Sequence, residues 1–110
     1  MDVDELKVKD LKELHRLLLG STSAHPYDVG TNYFIRTVTM IQIGKLVKVT
    51  DQELVLENAV WVPDTGRFTQ AVMKGELSEV ELFPKGETIV GRGTVVDACK
   101  WNFPLPSMQR

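Results

Sequence analysis

The sequence has one cysteine, two histidines and no basic surplus, and each scarcity removes a class of chemistry. Cys99 alone cannot close an internal disulfide, so a bridge-stapled secreted scaffold is excluded. No charged-then-apolar leader opens the chain, and cytoplasmic residence is the expected setting. No apolar run approaches the roughly 20 residues that a membrane-spanning helix needs, so no membrane partner is expected. Thirteen Lys and Arg against fifteen Asp and Glu leave a formal net charge of −2, without the broad positive field that duplex nucleic acid selects. A small local basic patch stays open. His15, His25 and Cys99 fit no metal-ligand spacing, and their simpler places are a helix surface, a linker and a half-buried strand. So few histidines also leave no Ser, His and acid arrangement to assemble. The expectation is a non-enzymatic protein with no metal, no cofactor and no catalytic residues.

What is present points to one folded domain. A chain of 110 residues has room for one core, and its 43% apolar and 25% charged residues are those of an ordinary globular protein. Over residues 1–20, Leu6, Leu11, Leu14, Leu17 and Leu18 recur mostly three or four apart and Gly20 provides a stop. This spacing predicts an amphipathic helix, its wet side carrying mixed charges from Asp4 to Arg16. Residues 21–32, "STSAHPYDVGTN", are small, polar and turn-forming, and read as a linker.

From Tyr33 the texture becomes β-branched and aromatic. "YFIRTVTMIQI" reads as a strand that continues through "KLVKV", with Gly44 placed where it can bend or bulge. "TDQE" is a polar turn, and "LVLENAVWV" is a second strand that should close at Pro63, which has no N–H for a ladder. "RFTQAVMKG" has Phe68, Ala71 and Val72 at helical spacing and Gly75 at the C-terminal cap position. "EVELF" and "ETIVGRGTVVDACKW" flank "PKG" and read as a closing hairpin, and residues 104–110 read as an irregular tail. One helix and about five short or bent strands result, too many for two long bare edges, so a closed or nearly closed small barrel is expected over 33–103 with 63–87 as an insertion carrying a short helix. "VGRGTVVDA" lacks the third glycine and the following helix of a dinucleotide loop.

Asp64-Thr65-Gly66 is similar to the triplet that supplies the carboxylate of aspartic proteases, and "IVGRG" resembles a second element of the retroviral type. Such a carboxyl needs a raised pKa, and the adjacent Arg67 would lower it. Asp64 and Thr65 fit better as N-capping residues for the helix that follows.

A further resemblance covers most of the chain. "IGKLVKVTDQELVLENAV", residues 43–60, resembles the first signature of the Sm-like family, the LSm and Hfq type, through Gly44, Leu46, Asp51, Leu56 and Ala59. "IVGRGTVVDA", residues 89–98, is similar to the second signature through Arg92, Gly93, Thr94 and Val96. The resemblance implies a mainly β fold: an N-terminal α-helix followed by a strongly bent five-stranded barrel. It also implies a homo-oligomeric ring, in which the fourth strand of one subunit pairs with the fifth of the next, with Val90, Val95 and Val96 as interface residues. In the family, single-stranded RNA is held at the pore, which assigns RNA contact here to Arg92, Asp51 and Gly93, with Tyr33 or Phe34 as stacking groups if exposed. The position of the family's amide falls on Glu53 or Leu54, and that of its aromatic on Gln52 or Glu53. Hence the alternative: a structural or protein-docking ring, its long insertion decorating one face. A third expectation is a ligand-holding barrel with Trp61 and Trp101 lining the pocket, against which stands their ordinary use in a core or seam.

Overall fold

The computed structural model describes residues 25–110. The expected helix over 1–20 and the first four linker residues lie outside the described residues. The rest is mainly β and antiparallel: β1 (Asn32–Thr37), β2 (Ile41–Val49), β3 (Glu53–Asp64), α1 (Phe68–Lys74), β4 (Glu79–Leu82), β5 (Glu87–Gly91), a 3-10 turn (Arg92–Thr94) and β6 (Val95–Lys100).

The stretch expected to be one strand over 33–49 is two. Thr37 reverses the chain by donating its N–H to the Met40 carbonyl at 2.8 Å, while its hydroxyl accepts the Met40 N–H at 3.0 Å. Val38 and Thr39 at the tip are strand-forming types without a turn signature, so a side-chain clasp does what Gly or Asn usually does. The β2–β3 turn matches the polar "TDQE" reading, with the Thr50 hydroxyl accepting the Glu53 N–H at 2.9 Å. Both long strands bend. The β2–β3 register shifts between Ile43 and Lys45, and a Cβ on Gly44 would lie 3.1 Å from the Cβ atoms of both Ala59 and Leu56. Opposite this approach, Asn58 takes a left-handed backbone, φ 51°.

β4 and β5 do not form the expected hairpin. Both pair with β3, β4 along Val60–Asp64 and β5 along Glu53–Glu57. Two strands antiparallel to the same neighbour run in the same sense, so they cannot be a hairpin. They are one edge strand interrupted at 83–86, where β3 kinks at Asn58. β1 then pairs with β2 on one side and β6 on the other.

Nor does the sheet close into the expected barrel. Its hydrogen-bonded order runs β5-β3-β2-β1-β6, with β4 also on β3. Direction alternates along these five strands, so the two edges, β5 and β6, point the same way. A parallel pair needs a crossover of about a dozen residues or more. Three residues, Arg92–Thr94, join them.

The strands bury both faces. Tyr33, Ile35, Leu46, Leu54, Leu56, Ala59 and Val90 form one apolar cluster, and Phe34, Ile43, Val60, Val62, Ala71, Leu77, Val80 and Trp101 form the other. Phe34 and Ile35 are adjacent and point to opposite sides, as the two-residue period of a strand requires. α1, β4 and the tail cover the second cluster, so residues 63–87 supply a core layer and are more than decoration. α1 ends as expected, with Gly75 left-handed (φ 73°) and its N–H on the Ala71 carbonyl at 2.9 Å.

Residues 104–110 are irregular but docked. The Trp101 indole donates to the Pro104 carbonyl at 3.2 Å, and Phe103 meets the Trp101 ring edge-on at 5.1 Å. Arg110 donates its N–H to the Val80 carbonyl at 3.0 Å and accepts the Val80 N–H at 3.4 Å. This single bridge guards the outer side of β4, while β5 and β6 keep theirs bare among the described residues.

Candidate functional site

Three turns meet at one end of the sheet. Arg92 opens the 3-10 turn; its backbone N–H donates to the Gln52 carbonyl at 2.9 Å and its Nη1 to the Thr50 carbonyl at 2.6 Å. On the other side, the Val38 N–H donates to the Thr94 carbonyl at 2.9 Å, and the Thr94 hydroxyl donates to the Gly91 carbonyl at 2.7 Å. The 3-10 turn is thereby fixed to both the β2–β3 and β1–β2 turns. Arg92, half-buried, is brought beside the turn that carries Asp51, with Asp51 and Gly93 exposed. Among the described residues Arg92 makes no ion pair, and a guanidinium with five N–H donors has spent one on Thr50.

The stacking groups are not there. Tyr33 and Phe34 are buried, Tyr33 in one cluster with its hydroxyl accepting the Asp28 N–H at 2.8 Å, Phe34 in the other, stacked on Trp101. Alternation puts each in a core because both sheet faces are covered. Gln52 and Glu53, both exposed, flank Arg92 instead.

The expected interface valines divide. Val90 is buried against its own chain, so only its main chain lies at the free edge of β5; Val95 is half-buried against the same cluster. Val96 sits where the β1–β6 register shifts and is 66% exposed. Ile89, 62% exposed on β5, is an edge residue the sequence reading omitted; its alternation with Val90 was the available signal.

The remaining candidates resolve as follows. Asp64 accepts the Gly66 N–H at 2.8 Å in an Asx turn, and the N-cap of α1 is Arg67, with no side-chain cap, which corrects the capping role expected of Asp64 and Thr65. That hydrogen bond closes the turn two residues before α1, so the carboxylate is already engaged. Trp101 is a core residue that also lines a groove beside the end of α1, while Trp61 borders a groove of about 340 Å³ with Arg36, Val38, Met40 and Pro63. Cys99 is exposed on β6 rather than half-buried; partial desolvation and the neighbouring Asp97 carboxylate hold its thiol above the ordinary value. His25 accepts the Tyr27 N–H at 3.2 Å, and among the described residues no three His, Cys, Asp or Glu converge. Nor, among them, is any helix long and apolar enough to cross a membrane.

Across β1 and β6, the Arg36 guanidinium grips Asp97 through both carboxylate oxygens and lies 5.2 Å over the Phe68 ring. Lys100 pairs with Asp28 at 2.6 Å. No family model, curated protein or solved structure matches this chain.

Proposed function

We propose that this protein is a non-enzymatic subunit of a closed, Sm-like ring, in which β6 of one copy adds to β5 of the next, and that the Arg92 end contacts single-stranded RNA. The carrying observation is the pair of edges, β5 and β6, that point the same way and have no outer partner among the described residues. A rotated second copy presents β6 antiparallel to β5, and a heterologous contact repeated by rotation removes every such edge. These are the fourth and fifth strands of the five, the ones that the family resemblance pairs between subunits. Ile89 and Val96 would gain cover in that arrangement.

Light scattering at micromolar concentration tests the ring: a multiple of 12.4 kDa is expected, and a stable monomer removes the reading. Fluorescence polarisation with oligo-U at two salt concentrations tests the RNA contact. Saturable, salt-weakened binding that is lost in Arg92→Ala is expected. The second reading, a protein-docking ring, is favoured by Gln52 and Glu53 flanking Arg92 where an aromatic and an amide would serve a base. A ring that ignores oligo-U decides for it.

A further inference from the structure

Among the described residues, the outer side of β4 is half-occupied. In a regular strand alternate residues turn their N–H and C=O to the same neighbour. Val80 points both groups outward to Arg110, whereas Phe83 donates inward to Ala59, so the Leu82 groups also face outward. The tail makes no backbone bond to Leu82, whose side chain is 42% exposed. The tail is tied at its two ends, by Trp101 to Pro104 and by Arg110 to Val80 and to the Leu77 carbonyl, the last at 3.2 Å from Nη1. Between these ties Ser107, Met108 and Gln109 are exposed. The strap also leaves space on both flanks. One groove of about 380 Å³ lies between it and the end of α1, and a second of about 380 Å³ between it and the 82–86 turn.

We infer that the β4 edge with its two grooves is a strand-accepting surface for an extended partner peptide of the tail's own chemistry, apolar and proline-containing with a basic residue near its end, and that residues 104–110 hold it shut. The seated tail shows what the surface accepts: Leu105 on the apolar cluster, no backbone donor needed at Pro104 or Pro106, and a guanidinium for the Leu77 carbonyl. A partner that also bonds Leu82 and fills the grooves gains contacts the strap does not make, by strand addition. It must displace a competitor whose effective concentration is on the order of millimolar. The inference is independent of ring assembly.

The test is a labelled peptide with the sequence of residues 102–110, NFPLPSMQR, titrated into the full chain and into Arg110→Pro, which removes the donor to Val80 and the guanidinium together. Binding at least about tenfold tighter to the variant is expected, because the competing strap is released. The bound peptide should slow hydrogen exchange at the Val80 and Leu82 amides, and adding Leu82→Glu should abolish binding. If Arg110→Pro does not fold, the paired change Met108→Gly and Gln109→Gly loosens the strap at exposed positions and should act in the same direction. Equal affinity for tight and loosened chains, no saturable binding to either, or binding without protection at Val80 and Leu82 overturns the proposal.

Discussion

Gly44 is the residue on which the bend depends. Its missing side chain lets β2 and β3 approach until a Cβ would sit 3.1 Å from two others, both on β3 in the apolar region. Gly44→Ala is expected to cost about 1–3 kcal/mol, as overpacking does, read as a lowered urea midpoint with an unchanged slope. Asp97 contributes on the acid side. The hydrogen bonds from Arg36 hold its carboxyl below the ordinary value near 3.8, against a smaller opposing effect of desolvation. A depressed folded pKa contributes stability that is complete above the unfolded value and is lost as pH falls through the folded one. Melting temperatures of wild type and Asp97→Asn should therefore differ near neutral pH and converge as pH falls below the ordinary carboxylate range. Some residue roles were legible in the sequence and others were not. Gly44 read as a bend because only backbone sterics were involved. Arg36–Asp97 did not, since the partners are 61 positions apart and nothing local announces them.

At the scale of elements, α1 is too short to stand alone and is held by what surrounds it. Gly75 both ends it and makes room: its φ is 73°, and a Cβ there would meet Phe103 Cγ at 2.7 Å. Gly75→Ala should cost about 1–2 kcal/mol for the left-handed backbone alone, and more for the collision. It should also free Phe103 from the Trp101 edge, visible in near-ultraviolet dichroism. The helix, its glycine stop and the "TDQE" turn were readable because each has a local cause. The β1–β2 reversal was hidden, because Thr37 clasps Met40 around two β-branched residues that read as strand. The false hairpin had another origin: "PKG" has turn chemistry, and only the long-range pairing of both flanks with β3 shows that the chain steps along an edge rather than turning back.

For the whole molecule, parity decides. Five strands that alternate in direction end on two of like sense, so among the described residues the two edges cannot close on each other. Strand count led to the expectation of a barrel, but the like sense of the two end strands follows from the pairing order, which no local signal announces. If β5 and β6 meet between copies, a charge at Ile89 should prevent it, as edge lysines do in natural sheets. Ile89→Lys is expected to lower the mass in light scattering to one subunit while leaving the unfolding midpoint of the isolated chain nearly unchanged, since that side chain is 62% exposed. Retention of the assembled mass would place the contact elsewhere. That Arg92 would lie beside the turn carrying Asp51 was suggested by the signatures, whereas Tyr33 and Phe34 are buried because both sheet faces are covered, which alternation alone does not reveal.

The back-to-back placement of the two apolar clusters has a thermal consequence. Each rests on the reverse side of the same strands, with Phe34 facing one and Ile35 the other, so neither can loosen without stripping the wall from its twin. With Trp61 and Tyr27 each replaced by Phe, indole emission from Trp101 and the absorbance of Tyr33 report opposite sides of that shared wall, and on heating the two signals should change together in a single step.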